Sequence, residues 1–302
     1  MPLMARGLVV GCSQGKLLGR ALAKRLDAGY SDLYAEKFPD GEMKIRFTAP
    51  LKGKTVFVVQ SLHPFPNDSL IELVFALKTA KELGAKKVFA VVPYFAYARQ
   101  DNRFNEGEVV SNRIVAKMIE WAGADGFVTV TTHLHRISSL KQIFRIPAVN
   151  VLLSKEIADY AKKKKLSGKN VLVVGPDGES APLAGEIAEE LNAGHYVFLK
   201  KRFSGTRIKS FETPGLDCKG KSVLLIDDIA STGNTLISVA GILKRHGAKK
   251  VDCVVVHLLD EEGGRKVRKN GLDSIACSNT LPNSFSQIDA SPALAKALKK
   301  FV

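Results

Sequence analysis

The sequence predicts an α/β protein of two similar domains, each a mainly parallel sheet flanked by helices. Three observations carry this expectation. Apolar runs of strand length alternate with amphipathic segments of helix length. The 302 residues suffice for about two domains at roughly 150 residues each. One helix-to-strand junction occurs twice, as Gly84-Ala85-Lys86-Lys87-Val88 and as Gly247-Ala248-Lys249-Lys250-Val251.

In chain order, the strand runs are Leu8–Gly11, Val56–Ser61, Val88–Pro93, Phe127–Val130, Val171–Gly175, Val223–Ile226 and Val251–Leu259. Ser69–Leu83 and Thr235–His246 place apolar residues at spacings of three and four, as helices packed on a sheet require. Each helix ends at a glycine suited to a C-cap, Gly84 or Gly247. A strand (VFVVQS or VLLIDD), a polar loop and a helix precede each copy of the junction. The expected division is 1–146 and 147–302, joined near Ile146-Pro147, after the strand at Phe127 and before a helix starting about Ser154. A single larger sheet is the alternative.

Composition excludes several classes. With 45% hydrophobic and 25% charged residues, the chain is neither disordered nor fibrous nor a coiled coil. No apolar run reaches the roughly 18 residues that span a bilayer, and the amino terminus lacks a signal-peptide pattern, so a cytoplasmic location and no membrane partner are expected. Lys and Arg number 45 against 30 Asp and Glu, a net +15 that draws anions: nucleic acid, acidic lipid or phosphorylated metabolites. Charge alone does not choose among them, and Lys162–Lys165 reads equally as a solvated face. Cys12, Cys218, Cys253 and Cys277 have no CxxC spacing and are expected to be reduced thiols.

Residues 215–222, GLDCKGKS, satisfy the GxxxxGK[ST] phosphate-loop pattern, but they follow Thr213-Pro214 and lead into a strand rather than opening a helix. They are expected to form a turn. The more specific motif follows directly: Val223–Ile226 runs into Asp227-Asp228-Ile229-Ala230-Ser231-Thr232-Gly233-Asn234-Thr235 and then a helix. Paired carboxylates at the carboxyl end of a parallel strand can accept hydrogen bonds from vicinal hydroxyls. Ser231–Thr235 can offer hydroxyls, backbone N–H groups and a helix N-terminus to a phosphate. An acidic turn with an N-cap is the bland alternative.

This motif resembles the 5-phosphoribosyl-1-diphosphate loop of type I phosphoribosyltransferases and ribose-phosphate diphosphokinases. Phe38-Pro39-Asp40-Gly41-Glu42, Asn67-Asp68 with Glu72-Leu73, Pro93-Tyr94-Phe95 and Ala98-Arg99-Gln100-Asp101 are similar to the diphosphokinase pattern in order and interval. The resemblance extends over essentially the whole chain, so two type I phosphoribosyltransferase-like domains are expected, an ATP side (1–146) and a ribose 5-phosphate side (147–302). It implies transfer of the diphosphoryl group of MgATP to ribose 5-phosphate. Asp227, Asp228, Ser231, Thr232, Gly233, Asn234 and Thr235 would hold the sugar phosphate.

By the same resemblance, Arg99, Gln100, Asp101, Phe38, Asp40 and Glu42 bind ATP, and the last three reach into a neighbouring subunit, implying at least a homodimer. Physically, Arg99 offers phosphate a fixed cation, Phe38 a stacking face, and the acids acceptors for an exocyclic amine. Lys200 and Arg202 resemble the catalytic pair of a basic loop that neutralises the transferring phosphoryl group. Asp177, in Gly175-Pro176-Asp177-Gly178-Glu179-Ser180, resembles the carboxylate of the Mg2+ and diphosphate loop. His133 would sit at the metal and triphosphate position, with Thr131 where the family has aspartate; a shifted gap would promote His135 instead. Without the resemblance, these segments read as surface loops, a solvated basic turn and a capped turn. The competing functions are a non-catalytic regulatory homologue and a nucleic-acid-binding regulator on the same fold; nucleic acid is disfavoured because no helix-turn-helix segment is evident.

Overall fold

The computed structural model describes residues 7–103, 105–132, 137, 139–202 and 209–301, except for the side chains of 200–202 and 209–211. Two compact units emerge. In the first, strands β1 (Gly7–Gly11), β2 (Gly29–Lys37), β3 (Met43–Phe47), β4 (Thr55–Val59), β5 (Lys87–Val92), β6 (Gly126–Val130) and β7 (Ala148–Val151) form one sheet, in the order β3-β2-β1-β4-β5-β6-β7. Only β2 and β3 pair antiparallel. Helices α1 (Lys16–Leu26), α2 (Pro66–Glu82) and α3 (Ser111–Trp121) connect strands of this sheet.

The second unit begins with α4 (Ser154–Lys163), β8 (Val171–Gly175), α5 (Ala181–Leu191) and β9 (Gly194–Val197). An antiparallel ribbon follows, β10 (Leu199–Arg202) with β11 (Lys209–Glu212). Then come β12 (Ser222–Ala230), α6 (Asn234–Arg245), β13 (Lys250–Leu258), α7 (Glu261–Lys269), β14 (Ser274–Ser278) and β15 (Ser286–Ile288). Its main sheet is wholly parallel, in the order β15-β14-β13-β12-β8-β9.

Every apolar run is a strand with ends moved by at most two residues, except that Val223–Ile226 belongs to a strand reaching Ala230. Residues 215–221 are turn and coil ahead of β12 and open no helix. The expected division near residue 146 needs correction. One unit extends to Val151 and takes in the chain again from Ala290; the other is Leu152–Asp289. Two contacts explain this. Strand β7 completes the first sheet beside β6, and the final helix α8 (Ser291–Leu298) returns to cover α1, β6 and β7. Arg25 Nε donates to Ser291 Oγ at 2.6 Å, and Phe301 packs on Phe89 with ring centroids 5.4 Å apart.

The repeated junction is a repeat of structure. Gly84 and Gly247 both adopt positive φ, and their carbonyls accept from Gly53 N and Gly220 N, each at 2.8 Å. In the first copy, Asp125 Oδ2 accepts from Lys81 Nζ and Val88 N at 2.6 Å; in the second, Asp273 Oδ2 accepts from Lys244 Nζ and Val251 N at 2.7 Å. Sequence shows only GAKKV; the carboxylate that ties each helix to the next strand lies outside it.

Burial works to raise the Asp273 carboxyl, but Lys244 and the Val251 N–H prevail and hold it below the ordinary carboxylate range. A depressed carboxylate stabilises the fold above its unfolded pKa, and that contribution is lost as pH falls through the folded value. Asp273→Asn is therefore expected to melt below wild type at neutral pH, with the gap closing below the carboxylate range. Both side chains are about a third exposed, so solvent screening keeps the effect under about 1 kcal/mol. Melting curves at the two pH values decide it; a gap independent of pH would count against the ion pair.

All four cysteines are buried free thiols. Burial pushes Cys12 and Cys253 well above the ordinary thiol range, so neither is a nucleophile. Among the described residues, no helix is long and apolar enough to cross a membrane.

Candidate active site

The second sheet reverses its strand order between β8 and β12: the chain moves from β8 out to β9, then crosses back to β12 and continues to β15. In open parallel sheets, ligands bind in the crevice that such a reversal leaves beyond the strands' carboxyl ends. Strand β12 pairs with β8 only as far as Leu225↔Val174, yet continues beside β13 to Ala230↔Leu258. Asp227 and Asp228 therefore extend past the end of β8. Their base is rigid. Val223, Leu224, Leu225 and Ile226 are wholly buried, each burial stabilising the fold by about 1.5–3 kcal/mol.

Both acids are half-buried. Asp227 Oδ1 accepts from Asp228 N at 3.0 Å, and Asp228 Oδ1 from Ile229 N at 2.7 Å. Beyond them, Ser231 and Thr232 are exposed, and Gly233 begins α6 at φ +72°. No side chain caps α6, so its first-turn N–H groups are suited to a phosphate. Asn234 Oδ1 accepts from Lys266 Nζ at 2.8 Å, so this amide braces the loop against α7.

The loop after β8 reaches the same crevice, and its 3-10 turn Gly178–Ser180 packs against β12. Asp177 caps that turn: its Oδ1 accepts from Glu179 N at 3.2 Å, while Ser180 Oγ donates to the Asp177 carbonyl at 2.7 Å. The capped-turn reading of this segment is thus realised, alongside any ligand role. Lys200 and Arg202 lie in strand β10, opposite Phe211 and Lys209, so the basic segment is one arm of a ribbon. Their side chains lie outside the described residues, as do His133 and His135.

In the first unit, Phe38–Glu42 form the tip of the β2–β3 hairpin. Phe38 N donates to the Glu42 carbonyl at 2.8 Å, and Glu42 N to Asp40 Oδ1 at 3.0 Å. Phe38 is 43% exposed, and Asp40 and Glu42 are exposed beside it. Arg99 is exposed in the segment after β5, Gln100 half-buried and Asp101 buried. Gln100 Oε1 accepts from Ser111 Oγ, leaving its NH2 end to donate. Thr131 is buried at φ +39°, its hydroxyl 3.4 Å from the Val151 carbonyl. An aspartate there would set a carboxylate against that carbonyl.

Comparison with known proteins extends over nearly the whole chain. Residues 8–123 match the N-terminal domain of ribose phosphate pyrophosphokinase, and residues 139–290 match the phosphoribosyl transferase domain. A ribose-phosphate pyrophosphokinase of Methanopyrus kandleri is 36% identical over 293 residues, covering 97% of this chain and 98% of that protein. The chain belongs to the ribose-phosphate pyrophosphokinase family. A Pyrococcus furiosus member is also 36% identical, over 96% of this chain and all of its own. The crystal structure of phosphoribosylpyrophosphate synthetase from Mycobacterium smegmatis superposes with a TM-score of 0.83, at 28% identity and 98% coverage of both chains.

The residues that hold the Ser231–Thr235 loop in place were not legible as such in the sequence. A Cβ on Gly233 would overlap Val267 Cγ2, and one on Gly263 would overlap the Ser231 carbonyl, so α7 clamps the loop through two glycines. The Gly263-Gly264 pair inside a helix was the available signal of such close approach. Gly233→Ala combines this overlap with positive φ and is expected to cost about 1–3 kcal/mol and to weaken sugar-phosphate binding. Melting and a ribose 5-phosphate titration check it; unchanged values would mean that the loop is not clamped.

Proposed function

We propose that the chain catalyses transfer of the diphosphoryl group of MgATP to the anomeric oxygen of ribose 5-phosphate, yielding 5-phosphoribosyl 1-diphosphate and AMP. The carrying observation is the Asp227-Asp228 pair beside the uncapped N-terminus of α6 at a strand-order reversal. The carboxylates accept from the ribose hydroxyls, while Ser231–Thr235 and the α6 N-terminus hold the 5-phosphate. Arg99, Gln100 and Asp101 bind the nucleotide. Phe38, Asp40 and Glu42 complete the ATP site of a neighbouring subunit, a role supported by the exposure of the hairpin tip, so the working form is at least a homodimer.

The described residues contain no group of three or more His, Cys, Asp or Glu able to hold a metal ion. A few hard carboxylate oxygens beside substrate phosphates fit Mg2+, which keeps several waters, better than a cation needing a protein cage. Asp177 and His133 would hold it. Bound there, it neutralises charge on the phosphoryl oxygens. The protein's own share is in-line placement and neutralisation by Lys200, Arg202 and Arg99. AMP release by purified protein should require both ribose 5-phosphate and MgATP; release independent of the sugar phosphate would contradict the proposal.

A further inference from the structure

We propose that Asn67 and Asp68, in the first turn of α2, are positioning residues that tie the two nucleotide segments to one rigid support. The inference rests on the assignment of Phe38–Glu42 and Arg99–Asp101 to ATP. Asp68 Oδ2 accepts from Lys37 Nζ at 2.6 Å, and Lys37 ends β2 immediately before Phe38. Next to it, Asn67 Oδ1 accepts from the Tyr97 hydroxyl, two residues before Arg99. Adjacent side chains of one turn thus reach the two segments separately.

The support is firm and the segments need it. Leu70, Leu73, Val74 and Leu77 anchor α2 in the core. Its Glu72 is also buried, accepting from Ser13 N and Oγ at 2.9 Å and from Gln60 Nε2 at 2.7 Å. Tyr97, by contrast, lies at φ +67°, a conformation disfavoured for a side chain of this size unless its surroundings impose it. Its carbonyl accepts from Gln100 N at 3.2 Å, so the Tyr97 backbone helps to set the start of the Arg99–Asp101 segment. The hairpin has its own cross-strand bonds, and the Lys37–Asp68 pair adds a fixed direction relative to α2.

Both ties are surface interactions, so their effects are moderate. An ion pair with side chains about half exposed supports at most about a fivefold effect, and a hydroxyl–amide bond about tenfold. The test is initial-rate kinetics of the intact enzyme with each substrate varied, alongside melting curves. Tyr97→Phe and Asn67→Leu should raise the KM for ATP about three- to tenfold, and Lys37→Met about two- to fivefold. The KM for ribose 5-phosphate, kcat and Tm should stay near wild type. Asn67→Asp keeps an acceptor for the Tyr97 hydroxyl and should restore the KM for ATP.

An unchanged KM for ATP in Tyr97→Phe and Lys37→Met would overturn the proposal. So would a rise in both KM values together with a fall in Tm, the mark of a merely structural role. Calorimetric titration of Phe38→Ala and Arg99→Ala with MgATP separates the two ideas. If these variants lose ATP while the tie variants do not, only the positioning role fails; if they bind ATP as wild type does, the nucleotide assignment itself fails.

Discussion

Lys200→Ala is expected to lower kcat by at least about a hundredfold while leaving both substrate affinities within a few fold. As the Pβ–O bond breaks, its electron pair moves onto the departing AMP oxygen, and a cation held beside the transferring group acts on that developing charge far more than on the ground state. Strand β10 supplies the support, because pairing of Lys200 with Phe211 and of Arg202 with Lys209 fixes the backbone under both residues. Steady-state kinetics with both substrates varied makes the measurement. Turnover near wild type would return the segment to a solvated basic ribbon.

The second large effect belongs to the sugar side. Asp228→Ala should weaken ribose 5-phosphate by about 1.5–3 kcal/mol, roughly tenfold to a hundredfold, and leave MgATP almost unaffected. Two losses combine: an acceptor for the sugar hydroxyls, and the acceptor that the Ile229 N–H now uses. Asp227 continues to accept from the residue 228 N–H, so the backbone of β12 should persist. Equal loss of both ligands in calorimetric titrations would refute the assignment.

The parts of the fold that were legible in the sequence are those buried on both faces. Strands β4, β5, β8 and β13 lie inside their sheets, and burial leaves them mostly apolar, with Asp252 and His257 as buried polar residues of β13. The β2–β3 hairpin carries its signal weakly because GYSDLYAEK is mostly polar and half-exposed. Helix α8 is not among the segments read as helix, and nothing local says which sheet it covers. That is decided by partners such as Arg25, 266 residues away from Ser291.

The candidate site divides in the same way. Asp227–Thr235 stood out because a strand, paired acids, small hydroxyl residues and a glycine coincide in sequence. The clamp on that loop, made by Gly263, Val267 and Lys266, comes from a helix about thirty residues later and is visible only in three dimensions. Asn234 illustrates the limit: its place in the motif was legible, but its side chain turns to Lys266.

The most direct test of the central claim follows the β-phosphorus. With ATP labelled at that position, ribose 5-phosphate and Mg2+, the label should move into the sugar product together with the γ-phosphorus, with one AMP released per labelled sugar. Label recovered in ADP would mean transfer of the γ-phosphoryl group alone, and label retained in ATP would mean that the chain does not catalyse the transfer; either result would contradict the proposed reaction.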